Sequence, residues 1–520
     1  MLHGRMLQLG AQLFCQRGEG NEQHPEGHSA GFREWIKDLD QSLCQHFPLP
    51  RGLEAIKEGT FIEPKWKLEL LHPGSSAVKN GLSNGLKVMD LDTAPDDTLI
   101  PIRDSITANL VSNSRLTPTD HFQDVRLLDF ELPQTKAYGP GAVAVVYPKN
   151  FPQDVQQFIE IMQWDDIADL PLKLVLTDNT SARIPPSPLR HVDIAIQTLT
   201  MRLLLTNYLD ILSIPRRSFF ATLAHFAKEG DEDEQYQKER ILELANPELI
   251  DELWDYTTRP RRTILEIMPD FPSVKIPWEY ALSALPIMRG RQFSIASGGS
   301  LKSAPSDRTR VQLLVAIANP PNPIIKYRKR FGVCTRYIAT LRGGQNVNIG
   351  MQAGYLNVKP EEVQTPVLLI GPGTGVAPMR SMIYERLAWA LQNKSESSKS
   401  LIDTVLMFGC RNKDSDFFFN DEWSRLQQSG LQVFTAFSRD KDKPRQYVQD
   451  VIRQQSALVH DMLINRGGKI YVCGSSGNMP KGVRQALVDV LQEHGESSVE
   501  SAQALLDDME RKGNYKQETW

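Results

Sequence analysis

Cysteine is scarce in this sequence: five residues in 520, at positions 15, 44, 334, 410 and 473, with no CxxC pair among them. An odd, widely spaced set argues against a disulfide scaffold or a structural zinc site, and for a reducing compartment. Long apolar runs are missing too. The most lipid-like stretch, residues 194–209, is interrupted by Gln197, Arg202 and Asn207, and a membrane span needs roughly 18 apolar residues. The first 20 residues lack the basic start, apolar centre and small-residue cleavage site of a signal peptide. Neither sign of charge dominates, since 59 Lys and Arg stand against 63 Asp and Glu, a net charge of −4. The basic residues are dispersed, which removes the electrostatic argument for nucleic acid or an anionic membrane as partner. The ten histidines include no HExxH pair, so no metal site is expected. A content of 41% hydrophobic and 23% charged residues excludes collagen-like and wholly disordered chains. These absences read as a soluble, cytoplasmic protein, and the length alone suggests about three or four domains.

Residues 1–47 read as a fragment. A helix end and a short strand are expected at 7–14, then a loop at 18–24, then a helix with Phe32, Trp35, Ile36, Leu39 and Leu43 on one face. Such a helix needs a partner layer, and nothing upstream supplies one. Residues 48–100, rich in Pro, Gly, Ser and Asp, read as a linker with one or two extended pieces. Strands are expected at 105–116, 125–132 and 141–147. Helical periodicity then dominates from about 190 to 287, with main segments at 191–212, 218–226, 235–244 and 263–268. The acidic run at 229–234 reads as a solvated loop or helix face. Strands return at 292–296, 311–318 and 335–341. From 366 onward, strands at 367–370, 404–408, 432–436 and 469–473 alternate with helices, the pattern of an open parallel sheet covered on both faces. No fixed-period repeat is visible. The stretch 177–181 resembles a phosphate loop, but Pro185 and Pro186 follow where a helix should begin.

Three motifs carry chemistry. In the first, the apolar run from Val367 enters a turn with Gly371, Gly373, Thr374 and Gly375, followed by a helix opening near Pro378. Glycines let the backbone approach phosphate oxygens, and the helix start adds its partial positive charge. The spacing is not GxGxxG, because position 376 is Val, and a plain strand–turn–helix corner is the competing reading. In the second, Ser438 and Arg439 follow another expected strand, with Arg445, Gln446, Tyr447, Val448 and Gln449 close behind. Planar guanidinium groups at a sheet edge suit a 2′-phosphate, which favours NADPH over NADH, while the motif standing alone reads as a solvated basic loop. In the third, Arg291, Gln292, Phe293 and Ser294 precede Phe331, Gly332, Val333, Cys334 and Thr335. An aromatic ring beside a hydroxyl and an arginine suits a flavin, and Gly332 can open a helix onto its pyrophosphate. Read without context, the third motif is a strand end and a turn. Cys473 by itself reads as a small buried hydrophobe. Trp520, the last residue, reads as frayed unless something holds it.

Taken in chain order, these motifs resemble the ferredoxin–NADP reductase-like half of diflavin reductases. The run Arg259-Pro-Arg-Arg-Thr263, Phe293 where microsomal relatives carry Tyr, and the ending Glu518-Thr-Trp520 are most similar to the NADPH-dependent diflavin oxidoreductases of cytosolic iron–sulfur cluster assembly. The resemblance covers most of the chain from about Pro101, together with residues 2–47, which resemble the end of a flavodoxin-like domain. It implies an α/β plus β-barrel architecture in four parts. These are a flavodoxin remnant at 1–47, a linker at 48–100, an FAD-binding barrel at 101–358 with a helical insert at about 190–287, and a doubly wound NADPH-binding domain at 359–520.

The resemblance also implies roles. Arg261, Arg291, Gln292, Phe293, Ser294, Gly332, Val333, Cys334 and Thr335 would hold FAD, with Trp520 covering the flavin until nicotinamide displaces it. Gly373, Thr374, Gly375, Ser438, Arg439, Arg445, Gln446, Tyr447, Val448 and Gln449 would hold NADPH. Ser294, Cys473 and Glu518 would assist hydride transfer. Three positions depart from the family pattern: an extra residue with Pro444, Arg445 in place of a usual Lys, and Gly482 where relatives often carry an acid. Glu22 stands where the family has an acidic residue near FMN, but the family's FMN loops are not in this sequence and one remnant residue cannot hold a flavin. The chain is therefore expected to be a truncated form. The implied partner is an anamorsin-type iron–sulfur protein, in the cytoplasm with a possible mitochondrial association. Competing readings are a sulfite- or haem-monooxygenase-type reductase and a non-catalytic scaffold that keeps the reductase fold.

Overall fold

The computed structural model describes residues 2–20, 29–57, 59–71, 93–177, 184–194, 198–304, 308–319, 331–356, 358–392, 401–441, 444–495 and 498–520. It divides into two units, Met1–Ile62 and Glu63–Trp520. The first unit holds helices Leu2–Gln8 and Ser29–His46. The strand expected within 7–14 does not form; beyond the helix end at Gln8 the chain there is turn and coil, and among the described residues of this unit there is no strand for it to pair with. The indole of Trp35 donates to the Gln16 carbonyl at 2.9 Å. On the same helix Phe32 stays 56% exposed and Ile36 40%.

The second unit begins with β1 (Trp66–Leu70), which lies within the stretch read as a linker. A six-stranded antiparallel sheet follows, built from β2 (Ser105–Arg115), β3 (Val125–Glu131), β4 (Val143–Val146), β6 (Arg291–Ser294), β7 (Arg310–Ala316) and β8 (Asn346–Gln352). Its order is β6-β4-β8-β2-β3-β7, and a bridge between Ile295 and Leu313 joins the two edges into a nearly closed barrel. In β2 the side chains alternate, Ile106, Ala108 and Leu110 inward and Thr107, Asn109 and Val111 outward, the period-2 pattern of a strand with one buried face.

The helix Val333–Thr340 packs Cys334, Tyr337 and Ile338 into the barrel core. This corrects the strand expected at 335–341. The buried positions 334, 337, 338 and 341 follow a 3.6-residue period, which overrides the β propensity of Thr, Tyr and Ile. The single helix expected at 191–212 is also corrected. Among the described residues of that range only Met201–Asn207 is helical, capped by Thr200 Oγ1 accepting from Leu203 N at 3.1 Å. Val192 and Leu199 instead form β-bridges with Ile102 and Leu172. The helical layer also takes in helix Pro152–Met162 and the pair of β1 with β5 (Leu172–Leu176), all around one apolar core.

The last part is a parallel sheet of β9 (Val367–Ile370), β10 (Thr404–Cys410), β11 (Gln432–Phe437), β12 (Lys469–Gly474) and β13 (Tyr515–Thr519). Its order is β11-β10-β9-β12-β13. Every residue of β9 and β10 is buried, as a parallel strand covered on both faces requires. Two apolar cores, one on each side of this sheet, complete the doubly wound layer.

Candidate functional site

The parallel strands end at a cleft of about 1090 Å³ that is shared with the open side of the barrel. At its floor, β9 runs through Pro372 into the Gly373–Gly375 turn and then into helix Val376–Gln392. Gly373 adopts φ +58°, and a Cβ there would meet nothing within 4 Å. A Cβ on Gly375, by contrast, would lie 2.1 Å from the Cys473 carbonyl oxygen. The second glycine is thus required by the close approach of β12, and the first by backbone conformation.

Helix Val376–Gln392 is clamped to the barrel. Arg380, almost fully buried, pairs with both carboxylate oxygens of Glu422 at 2.7 and 2.8 Å. Its remaining nitrogen donates to the Ala296 carbonyl and to Gln312 Oε1, each at 2.9 Å. Ser381 Oγ donates to the Ser297 carbonyl at 2.8 Å, and Glu385 accepts from Gly299 N at 2.7 Å. These bonds hold the glycine turn in fixed register with β6, which carries Phe293 and Ser294 to the cleft wall.

At the far end of the cleft, Ser438 follows β11, with Ser438 N donating to the Cys410 carbonyl at 3.0 Å. Tyr447 opens helix Val448–Gln454, and its backbone N–H donates to Asp450 at 2.9 Å. Ser438, Gln446, Tyr447, Val448 and Gln449 all line the cleft. Arg439 and Arg445 are exposed and do not line it.

The third wall is the end of the chain. β13 pairs in parallel with β12, which sets Glu518 opposite Cys473. Trp520 N donates to the Gly474 carbonyl, and Ser476 N to the Trp520 carbonyl, both at 3.1 Å. The backbone of Trp520 is therefore held by the sheet, and the residue lines the cleft beside Glu518 and Thr519. Glu518 Oε2 is buried without a hydrogen-bond partner among the described residues, and burial raises the pKa of its carboxyl. Burial, reinforced by the charge of Glu518, holds the Cys473 thiol well above its ordinary value, so this sulfur stays protonated. Cys473 itself lies under the cleft and does not line it.

The remaining candidates gather on the barrel. Gly332, which has no side chain to cap with, starts helix Val333–Thr340. Thr335 Oγ1 accepts from Ala318 N at 3.0 Å and fixes that start to the end of β7. Arg291 lies near enough for its charge to act on Cys334 and pairs with the buried Asp210 at 3.7 Å. The Cys334 thiol is pushed up to about 12 by burial, so only the backbone at position 334 is available to a ligand. Arg261, at φ +54°, is exposed in the helical layer and does not line the cleft. Glu22 lies outside the described residues.

Two comparisons with known proteins bear on this arrangement. The profile of an FAD binding domain matches residues 101–337, and that of an oxidoreductase NAD-binding domain matches residues 369–485. Over its whole length the chain is 42% identical to NADPH-dependent diflavin oxidoreductase 1 of Aspergillus fumigatus, covering 81% of that protein. It is 43% identical to the protein of that name from Emericella nidulans and 37% identical to that from Schizosaccharomyces pombe, covering 80% and 81% of them. The chain belongs to the NADPH-dependent diflavin oxidoreductase family.

The residues present fit the two groups that this family's reductase domains take. An open glycine turn at a helix start suits a dinucleotide, and an uncapped helix start beside Arg291 suits the pyrophosphate of FAD. In this member of the diflavin oxidoreductase family, sequence reasoning missed Arg411, Asp416, Asn478 and Met479, which all line the cleft. For Arg411 a signal existed. Cys410 pairs in register with Phe437, so Arg411 follows β10 as Ser438 follows β11, and ligands of open α/β sheets bind at these carboxyl ends. Among the described residues no cluster of three or more His, Cys, Asp or Glu side chains could hold a metal, and no helix is long and apolar enough to cross a membrane.

Proposed function

We propose that this chain is the reductase part of a diflavin enzyme that takes hydride from NADPH onto FAD. In the complete family architecture, electrons then pass through FMN to an anamorsin-type iron–sulfur protein serving cytosolic iron–sulfur cluster assembly. The observation that carries this reading is the convergence of Ser294, Glu518 and Trp520, from three separate parts of the chain, on one cleft with the glycine turn and Ser438. When bound, NADPH and FAD supply the redox chemistry, hydride moving from the nicotinamide ring to the flavin ring.

The chain's own residues supply position, dryness and proton control. Phe293 and Trp520 offer flat apolar surfaces to the same cleft, suited to ring stacking and to excluding water. Ser294 brings a hydroxyl, and Glu518 a carboxyl that keeps its proton above the ordinary range. Cys473, protonated and buried, backs Glu518 as a neutral group and does not act as a thiolate. Thr374, Ser438, Arg439, Tyr447 and the rim Arg445 would hold the phosphates, while Arg291 and the Gly332–Thr335 backbone would hold FAD. Balanced charge over the whole chain is compatible with this, because phosphate recognition needs only a few placed guanidinium groups. The scarce, unpaired cysteines favour a reducing, cytoplasmic location.

The test is direct. The purified chain should be yellow, release FAD on denaturation, and reduce ferricyanide with NADPH. A colourless protein without that activity would overturn the reading. The acceptor is tested by reduction of an isolated anamorsin-type protein, with and without an added flavodoxin-like domain. Failure of both mixtures would remove the proposed partner.

A further inference from the structure

Arg411 lines the cleft, yet among the described residues no carboxylate lies within ion-pair distance of it and no hydrogen bond holds its guanidinium. It also stands close to a like charge. The Arg411 carbonyl accepts from Arg439 N at 2.7 Å, and burial together with the Arg439 charge depresses the Arg411 pKa. The nearby Asp416 carboxylate is taken up by the Arg411 and Asn412 backbone N–H groups at 3.0 and 2.7 Å, so two neighbouring arginines keep their guanidinium donors for an anion, provided that they are held in place.

What holds Arg411 is an aromatic ring from the other domain. Its guanidinium carbon sits 3.8 Å from the centroid of Phe122, within the range of a cation–π contact. Phe122 lies in the loop joining β2 to β3, and that loop is rigidly built. Arg115 donates to the carbonyls of Thr117 at 3.0 Å, Pro118 at 2.8 Å and His121 at 3.2 Å. Thr117 Oγ1 donates to the Gln123 carbonyl at 2.9 Å and accepts from Val125 N at 3.1 Å. A large apolar ring that is 58% exposed on a loop fastened this firmly is poorly explained by packing, since it contributes little to any core.

We infer that Phe122 is a specificity-determining positioning residue, which holds Arg411 over the cleft as the receptor for a phosphate group of the dinucleotide. This rests on the NADPH reading given above. The barrel thereby contributes to cofactor choice without touching the dinucleotide, by presenting the face of a ring to a cation that would otherwise retreat from Arg439.

The experiment measures KM and kcat for NADPH and for NADH, with ferricyanide as acceptor, in the wild-type chain and in Phe122→Ala, Phe122→Leu and Phe122→Trp. Loss of the ring in the Ala and Leu variants should raise the NADPH KM about fivefold, with the change falling on KM and not on kcat. The Trp variant should restore the wild-type value. A rise confined to NADPH identifies the 2′-phosphate as the group held and supports the inference, whereas an equal rise for NADH overturns it, because cofactor choice would then be unaffected. A NADPH KM within twofold of wild type in both Ala and Leu variants overturns it, as does a Leu variant that matches Trp, because the ring's charge distribution would then be irrelevant. A wild-type chain that carries no flavin or does not oxidise NADPH would instead sink the parent reading, and it is measured first.

Discussion

Glu518 stands opposite Cys473 across the β12–β13 ladder, and its Oε2 is buried with no hydrogen-bond partner among the described residues. The raised carboxyl pKa follows from that burial. A group whose folded pKa lies above its unfolded value contributes stability that is complete below the unfolded pKa and is lost as pH rises through the folded one. Thermal unfolding of the chain without NADPH should therefore show stability declining as pH climbs above the ordinary glutamate range. Glu518→Gln, which cannot ionise, should flatten that decline and also reduce turnover about tenfold or more, since a placed proton donor or acceptor contributes ~10²–10⁴ in rate. Parallel stability curves for the two proteins would remove this account of Glu518.

The two glycines of the turn should respond differently to alanine. Gly375→Ala would drive a methyl into the Cys473 carbonyl at 2.1 Å. It is expected to cost ~1–3 kcal/mol by overpacking and to weaken NADPH binding as the turn lifts from β12. Gly373→Ala meets open space at φ +58° and should cost only the left-handed backbone penalty of ~1–2 kcal/mol. Denaturant midpoints and the NADPH KM of both variants check the order. Equal effects would count against it.

Arg380 joins the helix after the glycine turn to the barrel through Ala296 and Gln312, and to helix Asn420–Gln428 through Glu422. Arg380→Gln removes the ion partner of the part-buried Glu422 carboxylate, leaving it the Tyr384 hydroxyl at 3.1 Å, a loss of charge-assisted hydrogen bonds costing ~1.5–3 kcal/mol. Stability in urea should fall by about that amount, and the rate of flavin reduction should fall with it as the two domains lose register. Unchanged stability would show that the clamp is redundant.

Ser438 and Arg439 are the groups assigned to the 2′-phosphate. Charge-assisted hydrogen bonds contribute ~1.5–3 kcal/mol each when buried, and Arg439 is exposed. Replacing both with Ala should therefore raise the NADPH KM about tenfold and leave that for NADH nearly unchanged. A parallel rise for both dinucleotides would move the 2′-phosphate elsewhere.

Trp520 is fixed by two backbone hydrogen bonds, and its side chain faces the cleft mouth. Deleting it should bring the kcat/KM values for NADPH and NADH closer together, because the ring no longer competes with nicotinamide for the same surface. An unchanged ratio would rule out that competition.

Much of the architecture was legible locally. The alternation in β2 and the unbroken apolar runs of β9 and β10 identify one strand facing a barrel interior and two strands buried on both faces, because side-chain period and burial are tied. Other elements were hidden. Residues 333–341 combine β-forming residue types with a helical spacing, and only the barrel cavity that receives Cys334, Tyr337 and Ile338 settles the competition. The segment 191–212 is apolar at both periods, so its division depended on pairing partners at Ile102 and Leu172. β13 could not be foreseen from Tyr515–Thr519, a short and mostly polar stretch whose strand character comes from lying beside β12.

The sequence by itself determined the glycine turn after β9, the parallel sheet around it, and the types of side chain suited to phosphate and to flat rings. These depend on conformational freedom and periodicity within a few residues of chain. Only the tertiary structure decided which of those side chains share a site. Ser294, Ser438 and Trp520 reach one cleft, whereas Arg261 does not. Arg411 became conspicuous only with the ring of Phe122 against it. Contacts between residues hundreds of positions apart are set by how layers pack and where strands end, and no local pattern in the chain encodes them.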